Sequence, residues 1–182
     1  MVRAQVGVFD RWTVDKTLDF VIDNFEGTKF VDHPDDRGGP TKFGITKKAL
    51  SKMRGRAVRN DDIHKLTRVE AKSIYVSDYV EPVWAGKMSY GPLRLAVVDW
   101  SIHSGAKRVV KAIQEIVEVT TDGIMGPITW AAISGHEPRS MFLRVMAART
   151  VFLSRLVARD NSQVVFLYGW GRRLAKILES AA

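Results

Sequence analysis

Hydrophobic side chains recur every three or four residues along most of this chain, which is the spacing of helices with one buried face. Leu18, Val21, Ile22 and Phe25 form the first such set. Later helices are predicted over residues 71–80, from 91 onwards, and over 106–119, 140–158 and 164–178. The pattern therefore indicates a mostly helical protein.

Sequence signals for helix starts agree with this pattern. Thr67-Arg68-Val69-Glu70 is a capping box, in which Thr and Glu side chains bind the first backbone N–H groups of a helix. Pro127 and Pro138 suit the first turn of a helix. Between the first helix and the rest, residues 26–46 are rich in Gly and Asp and end in Phe43-Gly44-Ile45-Thr46. We expect a small hairpin there, and so an α+β fold that is mostly α, with a hairpin region beside a multi-helix lobe.

Composition sets further bounds. The 182 residues contain no Cys, carry a formal net charge of +8 and are 46% hydrophobic, which suits one folded domain in a reducing compartment. We expect a single domain over 1–182, with a hairpin-bearing lobe over about 13–100 and a helical lobe over about 101–180. No signal peptide or transmembrane segment is recognisable. The basic charge indicates an anionic partner, but no nucleic-acid-binding motif is present.

Glu26 is the first candidate for catalysis. It follows the apolar spacing of the first helix and stands between Phe25 and Phe30, at the start of an open loop. A carboxyl group in such surroundings can keep its proton near neutral pH and act as an acid. Glycosidic bond cleavage needs such an acid, together with a second group that directs water or stabilises an oxocarbenium-like transition state.

Asp35, Asp36 and Thr41 are the candidates for that second role. Either aspartate could be the charged partner, and Thr41 could position water. The spacing alone equally suits an ordinary Asp- and Gly-rich turn. A calcium loop is excluded because the sixth position is Arg37 and the twelfth is Phe43. The four histidines show no zinc spacing, so we expect no metal and no cofactor.

Residues 26–46 resemble the signature of the glycoside hydrolase family 108 muramidases. Glu26-Gly27, Asp36-x-Gly-Gly-x-Thr41 and Phe-Gly-Ile-Thr stand in the family's order, although Thr28 replaces a glycine and one residue is inserted before the Asp pair. The choice between Asp35 and Asp36 stays open, because Asp35 gives the spacing of phage-type lysozymes and Asp36 fits the family pattern. Three later stretches continue the resemblance: Asp99-Trp100-Ser101-Ile102-His103-Ser104-Gly105, Asp122 to Thr129, and Gly169-Trp170-Gly171-Arg172-Arg173.

The resemblance implies a lysozyme-like fold with a C-terminal peptidoglycan-binding region. It also implies hydrolysis of the β-1,4 bond between N-acetylmuramic acid and N-acetylglucosamine, with Glu26 as general acid and Asp36 or Asp35 with Thr41 assisting. A phage endolysin is the expected class, a monomer held in the host cytoplasm until its release to the cell wall. The alternatives are a lytic transglycosylase and a non-catalytic wall-binding module.

Further contacts with the glycan are expected from Asp99, His103, Trp84 and Tyr168. Asp99 and His103 lie four residues apart on one helix face, where a buried Asp–His pair is the structural alternative. A series of basic residues after Gly123 could form a surface attracted to an anionic wall or membrane. Its members are Arg139, Arg144, Arg149, Arg155, Arg159, Arg172, Arg173 and Lys176.

Overall fold

A computed structural model describes residues 12–31 and 39–182. Asp35 and Asp36 lie outside these residues. In the described part, helices dominate and one small antiparallel hairpin is present, so the predicted α+β, mostly α fold class is confirmed. The elements are α1 Val14–Val21, β1 Thr41–Lys42, β2 Ile45–Thr46, α2 Lys47–Arg54, α3 Asn60–His64, α4 Arg68–Tyr75, α5 Gly91–Ser104, α6 Ala106–Ile116, α7 Pro127–Ser134, α8 Pro138–Arg159 and α9 Leu167–Glu179.

Helix α1 leads directly to Glu26. The Thr13 hydroxyl caps its N-terminus by accepting from the Lys16 N–H at 3.2 Å. The chain then widens into a π-helical turn, Ile22–Glu26, which ends where the Gly27 N–H donates to the Ile22 carbonyl at 2.8 Å. Gly27 has a φ of 76°, a left-handed conformation that favours glycine. Glu26 is therefore the last helical residue before the chain reverses direction.

The hairpin is closed by a two-residue turn. Thr41 pairs with Thr46 and Lys42 with Ile45, so Phe43 and Gly44 form the tip. Their φ angles are 54° and 72°, and positive values at both central positions characterise the type I′ turns that match strand twist. Phe43 and Ile45 are buried, which anchors the short hairpin to the core.

Helix α5 is the centre of the molecule. Ten of the eleven positions from Gly91 to Ser101 are buried, Arg94 being the exception, so the helix is enclosed on almost all sides. Helices α6 and α8 pack along it, and α1 and α9 contact it from the other side. At α6, the buried Gln114 fixes the following loop by donating to Asp122 and accepting from the Gly123 N–H. Asp99 and His103 are thus carried by the most enclosed helix.

The helix limits in the structure can be set beside those predicted from the sequence. The capping box is confirmed, because the Thr67 N–H donates to Glu70 at 3.0 Å and the Glu70 N–H donates back at 3.2 Å. The predicted helix over 71–80 consists of α4 and a π-helical turn, Val76–Val80. The last helix begins at Leu167, after a 3-10 segment, Asn161–Phe166. No helix in the described residues is both long enough and apolar enough to span a bilayer.

Candidate active site

Glu26 lies between the C-terminal helix and the tip of the hairpin. One carboxyl oxygen, Oε1, accepts a hydrogen bond from Arg173 Nη2 at 2.7 Å. The other, Oε2, lies beside Gly44. The side chain is 18% exposed, so it is held by the protein yet open to solvent on one side. Phe25 covers the Arg173 guanidinium, which lies 4.5 Å from its ring centroid.

Arg173 is itself fixed by a buried carboxylate. Its Nε donates to both Asp99 oxygens, at 3.0 and 3.1 Å. Asp99 also accepts from Arg149 Nη1 at 2.7 Å, and these two side chains are only 0% and 1% exposed. Glu26, Arg173, Asp99 and Arg149 therefore form a charge-balanced chain that runs from the surface into the core, which we call the Glu26 network.

This network corrects two sequence-based predictions. Asp99 is fully buried, so it does not line an open sugar cleft, and its partners are arginines rather than His103. Arg149 and Arg173 do not belong to a basic surface, because their charges are used in these ion pairs. Burial alone would lower the pKa of Arg173, but Asp99, followed by Glu26, holds that pKa above its usual value. Arg173 is therefore a permanent cation beside Glu26.

The hairpin tip is locked against Glu26 by a buried tyrosine. The Tyr75 hydroxyl donates to the Phe43 carbonyl at 2.7 Å. Burial and then the negative charge of Glu26 raise the pKa of Tyr75, so the hydroxyl stays protonated and available as a donor. A Cβ added at Gly44 would stand 2.5 Å from the Tyr75 hydroxyl and 2.6 Å from Glu26 Oε2. Glycine at this position lets the turn approach the carboxyl.

Gly44→Ala is expected to displace Glu26 and lower kcat about tenfold, the equivalent of about 1.4 kcal/mol of transition-state stabilisation. The left-handed backbone should cost roughly 1–2 kcal/mol of stability in addition. Gly55→Ala is the matched control, because Gly55 has a φ of 61° but nothing within 4 Å of its added Cβ. Gly55→Ala should lose stability but keep the wild-type kcat. Turnover rates and urea unfolding of both variants test this, and equal turnover in the two would contradict the packing role of Gly44.

His103 stands at the end of α5, one turn after Asp99. Its ring lies edge-on to Trp170, with centroids 6.0 Å apart. Burial, followed by the positive charges of Arg149 and Arg173, lowers the pKa of His103 to about 4, against an opposing effect of Asp99. The imidazole is therefore neutral at physiological pH and can both donate and accept a hydrogen bond.

This low pKa predicts acid sensitivity. An unfolded chain protonates histidine near pH 6.5, while the folded chain resists protonation until about pH 4, so stability is lost as pH falls between these values. His103→Gln should lose less stability than the wild type between pH 7.5 and 4.5 in urea unfolding. His136→Gln, the same substitution at a histidine outside α5, serves as the matched control. An unchanged pH dependence in His103→Gln would refute this.

The remaining predicted site residues are distributed over several places. Thr41 lies on β1, three residues before Gly44, and pairs through its backbone with Val31 on the other side. Among the described residues no hydrogen bond joins it to Glu26. Trp84 is half-buried against Trp130, with Lys87 Nζ 3.7 Å from its ring centroid. Tyr168 is 77% exposed on the first turn of α9.

Several residues of this site were missed by sequence reasoning. Tyr75 and Gly44 had no assigned role, and the two arginines had been placed in a surface series. The one available signal for Arg173 was its position at the end of the Gly-Trp-x-x-Arg stretch, where a helix face also carries Trp170.

In the described part of the chain, no three His, Asp or Glu side chains are grouped so as to hold a metal ion.

A helix-terminal carboxyl beside a small hairpin, in a mostly helical α+β fold, defines a lysozyme-like glycoside hydrolase. The model of the family Glycosyl hydrolase 108 matches residues 19–105. That of a Predicted Peptidoglycan domain matches 108–175. SagA of Brucella abortus is similar in structure, with a TM-score of 0.77 and 32% identity over 90% of each chain. The comparison with curated proteins gave no match.

The chain belongs to glycosyl hydrolase family 108 and is a peptidoglycan hydrolase. The resemblance expected from its motifs is confirmed. The first match ends just after α5, and the second begins in α6 and reaches into α9. Glu26 and Asp99 therefore fall in the glycosyl hydrolase match, while Arg149 and Arg173 fall in the peptidoglycan match.

Proposed function

We propose that this protein cleaves the β-1,4 bond between N-acetylmuramic acid and N-acetylglucosamine, with Glu26 as general acid. The observation that supports this most is the placement of the Glu26 carboxyl, fixed on one side by Arg173 and on the other by the hairpin tip. A general acid must be held in place and still be reached by the substrate, and the Glu26 side chain meets both conditions because it is ion-paired and 18% exposed.

The two oxygens of Glu26 have different roles in this proposal. Arg173 can only donate hydrogen bonds, so Oε1 keeps accepting from it, and the proton that the ion-paired carboxylate takes up before the reaction binds to Oε2. When that proton passes to the glycosidic oxygen, Glu26 becomes negatively charged. Arg173 then stabilises the new carboxylate, and Asp99 keeps the guanidinium in position for this. The arrangement is ready before the reaction begins, so little reorganisation is needed.

The second half of the reaction needs a group that directs water or stabilises positive charge on the sugar. We assign this to Asp36 or Asp35, with Thr41 positioning the water. Thr41 supports this assignment because it lies in the same hairpin as Gly44, whose backbone borders Glu26. In a cell this reaction would open the wall, which is the activity of an endolysin.

Product analysis tests the proposal against its rivals. Purified peptidoglycan is digested, the products are reduced with borohydride, and the new ends are identified by mass spectrometry. Reduced muramic acid at the new ends is the expected result. Ends with 1,6-anhydro-muramic acid would instead mean a lytic transglycosylase, in which the substrate's own hydroxyl attacks. Absence of new ends, with retention of the protein on the wall, would mean a binding module.

A further inference from the structure

A groove of about 690 Å³ runs along α9 and begins at the edge of the Glu26 network. Phe25 and Arg173, which flank Glu26, form its inner end. This volume falls within the range of sites that hold small molecules. Because the groove is lined by Arg173 of the Glu26 network and by Phe25 next to Glu26, a substrate bound to Glu26 has a portion within reach of it.

Part of the groove lining is uncharged. Trp170 contributes its ring, which packs against Phe166 and His103 with centroid distances of 5.9 and 6.0 Å. His103 is neutral, and within the described residues its ring makes a single hydrogen bond, to Ser104. Asn24 adds an amide whose nitrogen already donates to the Phe20 carbonyl, which leaves its oxygen as an acceptor. These uncharged groups can pack against, and form hydrogen bonds with, the backbone of a polar chain.

Another part of the lining carries exposed positive charge. Arg172 and Lys176 both line the groove and lie four residues apart on α9, so they share one helix face about one turn apart. Within the described residues the cation–π contact of Arg172 is with the Tyr168 ring, 5.9 Å from its centroid, and the ion pair of Lys176 is with Glu179, at 3.9 Å. Neither cation is strongly neutralised, whereas Arg173 is fully engaged by Asp99 and Glu26.

The positive charge of Arg172 and Lys176 suits one part of peptidoglycan better than the other. The N-acetylated sugars of a glycan strand are neutral, so they give no reason for two exposed cations in a groove that begins at the Glu26 network. The short peptide attached to muramic acid is different, because its γ-linked glutamate keeps a free α-carboxylate and a following diaminopimelate has a second one. One extended residue spans roughly 3.5 Å, and a γ-linkage lengthens it, so successive carboxylates match cations about one helical turn apart.

We propose that this groove binds the stem peptide of muramic acid, with Arg172 and Lys176 receiving its carboxylates. The inference rests on the proposed function, since it assumes that Glu26 acts on peptidoglycan. It makes the enzyme selective for glycan strands that carry acidic peptides. Glu179, at the outer end of the groove, opposes this binding by its own charge and by its contact with Lys176.

The test is the double variant Arg172→Gln/Lys176→Gln on two substrates. One is purified peptidoglycan freed of other anionic polymers, and the other is the same material with its peptide carboxylates converted to carboxamides. The wild type should cleave the carboxylate form faster. The double variant should lose about tenfold in kcat/KM on that form and little on the amidated form. Lys107→Gln/Lys111→Gln, an equal charge change on α6 outside the groove, should retain the wild-type preference.

Three results would contradict the proposal that the groove binds the stem peptide. They are an equal loss on both substrates, no loss on either, and the same loss in the α6 control. Glu179→Gln provides a change of opposite sign and should raise the rate on the carboxylate form alone. A wild type that releases no muramic ends from either substrate would refute the proposed function itself, so the two failures are distinguishable. Thermal unfolding of each variant confirms that the fold is retained.

Discussion

Glu26→Gln is expected to lower kcat for peptidoglycan cleavage by about 10²–10⁴-fold, the contribution typical of a positioned general acid. The amide has the shape of the carboxyl group but cannot transfer a proton to the leaving oxygen. Arg173 would keep its bonds to Asp99, so the rest of the network should remain in place. The release of reducing ends from purified walls measures the effect.

Glu115→Gln is the matched control, because Glu115 is an exposed glutamate on α6. It should retain wild-type activity. Thermal unfolding establishes that Glu26→Gln is folded at the assay temperature, and some loss of stability is expected because the side chains of the lost ion pair are only 14% and 18% exposed. Wild-type clearing by a folded Glu26→Gln enzyme would remove Glu26 from the reaction.

Asp99→Asn is expected to destabilise the fold by about 3–5 kcal/mol, because it leaves Arg149 buried without a counter-charge. Arg149 is 1% exposed and Asp99 0%, so water cannot replace the missing carboxylate. The same change frees Arg173 from its anchor. We therefore expect kcat to fall in addition to stability, since Glu26 would be held by a less well-positioned guanidinium.

Asp78→Asn provides the comparison for this substitution. Asp78 pairs with Lys52, whose side chain is 71% exposed, and such surface pairs contribute about 0–1 kcal/mol. Urea unfolding of both variants gives the two free energies, and kcat at a temperature where both are folded gives the effect on catalysis. Similar small losses from the two substitutions would show that the buried network is not what fixes Arg173.

Local signals accounted for most of the helical architecture. The capping box at Thr67 and the prolines at 127 and 138 predicted helix starts because caps and first-turn prolines act within one turn. The observed helix boundaries differ from the predicted ones where a helix changes type. The run predicted over 71–80 continues as a π-helical turn, and the last helix begins after a 3-10 segment, because apolar spacing hardly distinguishes these related helices.

The sequence alone determined that this protein is a mostly helical glycoside hydrolase with Glu26 at a helix end and a hairpin after it. Apolar spacing, caps and ordered motifs are all local, so they can be recognised without coordinates. Only the tertiary structure decided what holds Glu26, because Arg173 lies 147 residues away along the chain and Asp99 is 74 residues from Arg173. Ion pairs depend on distance in space, and packing around α5 brings these charges together.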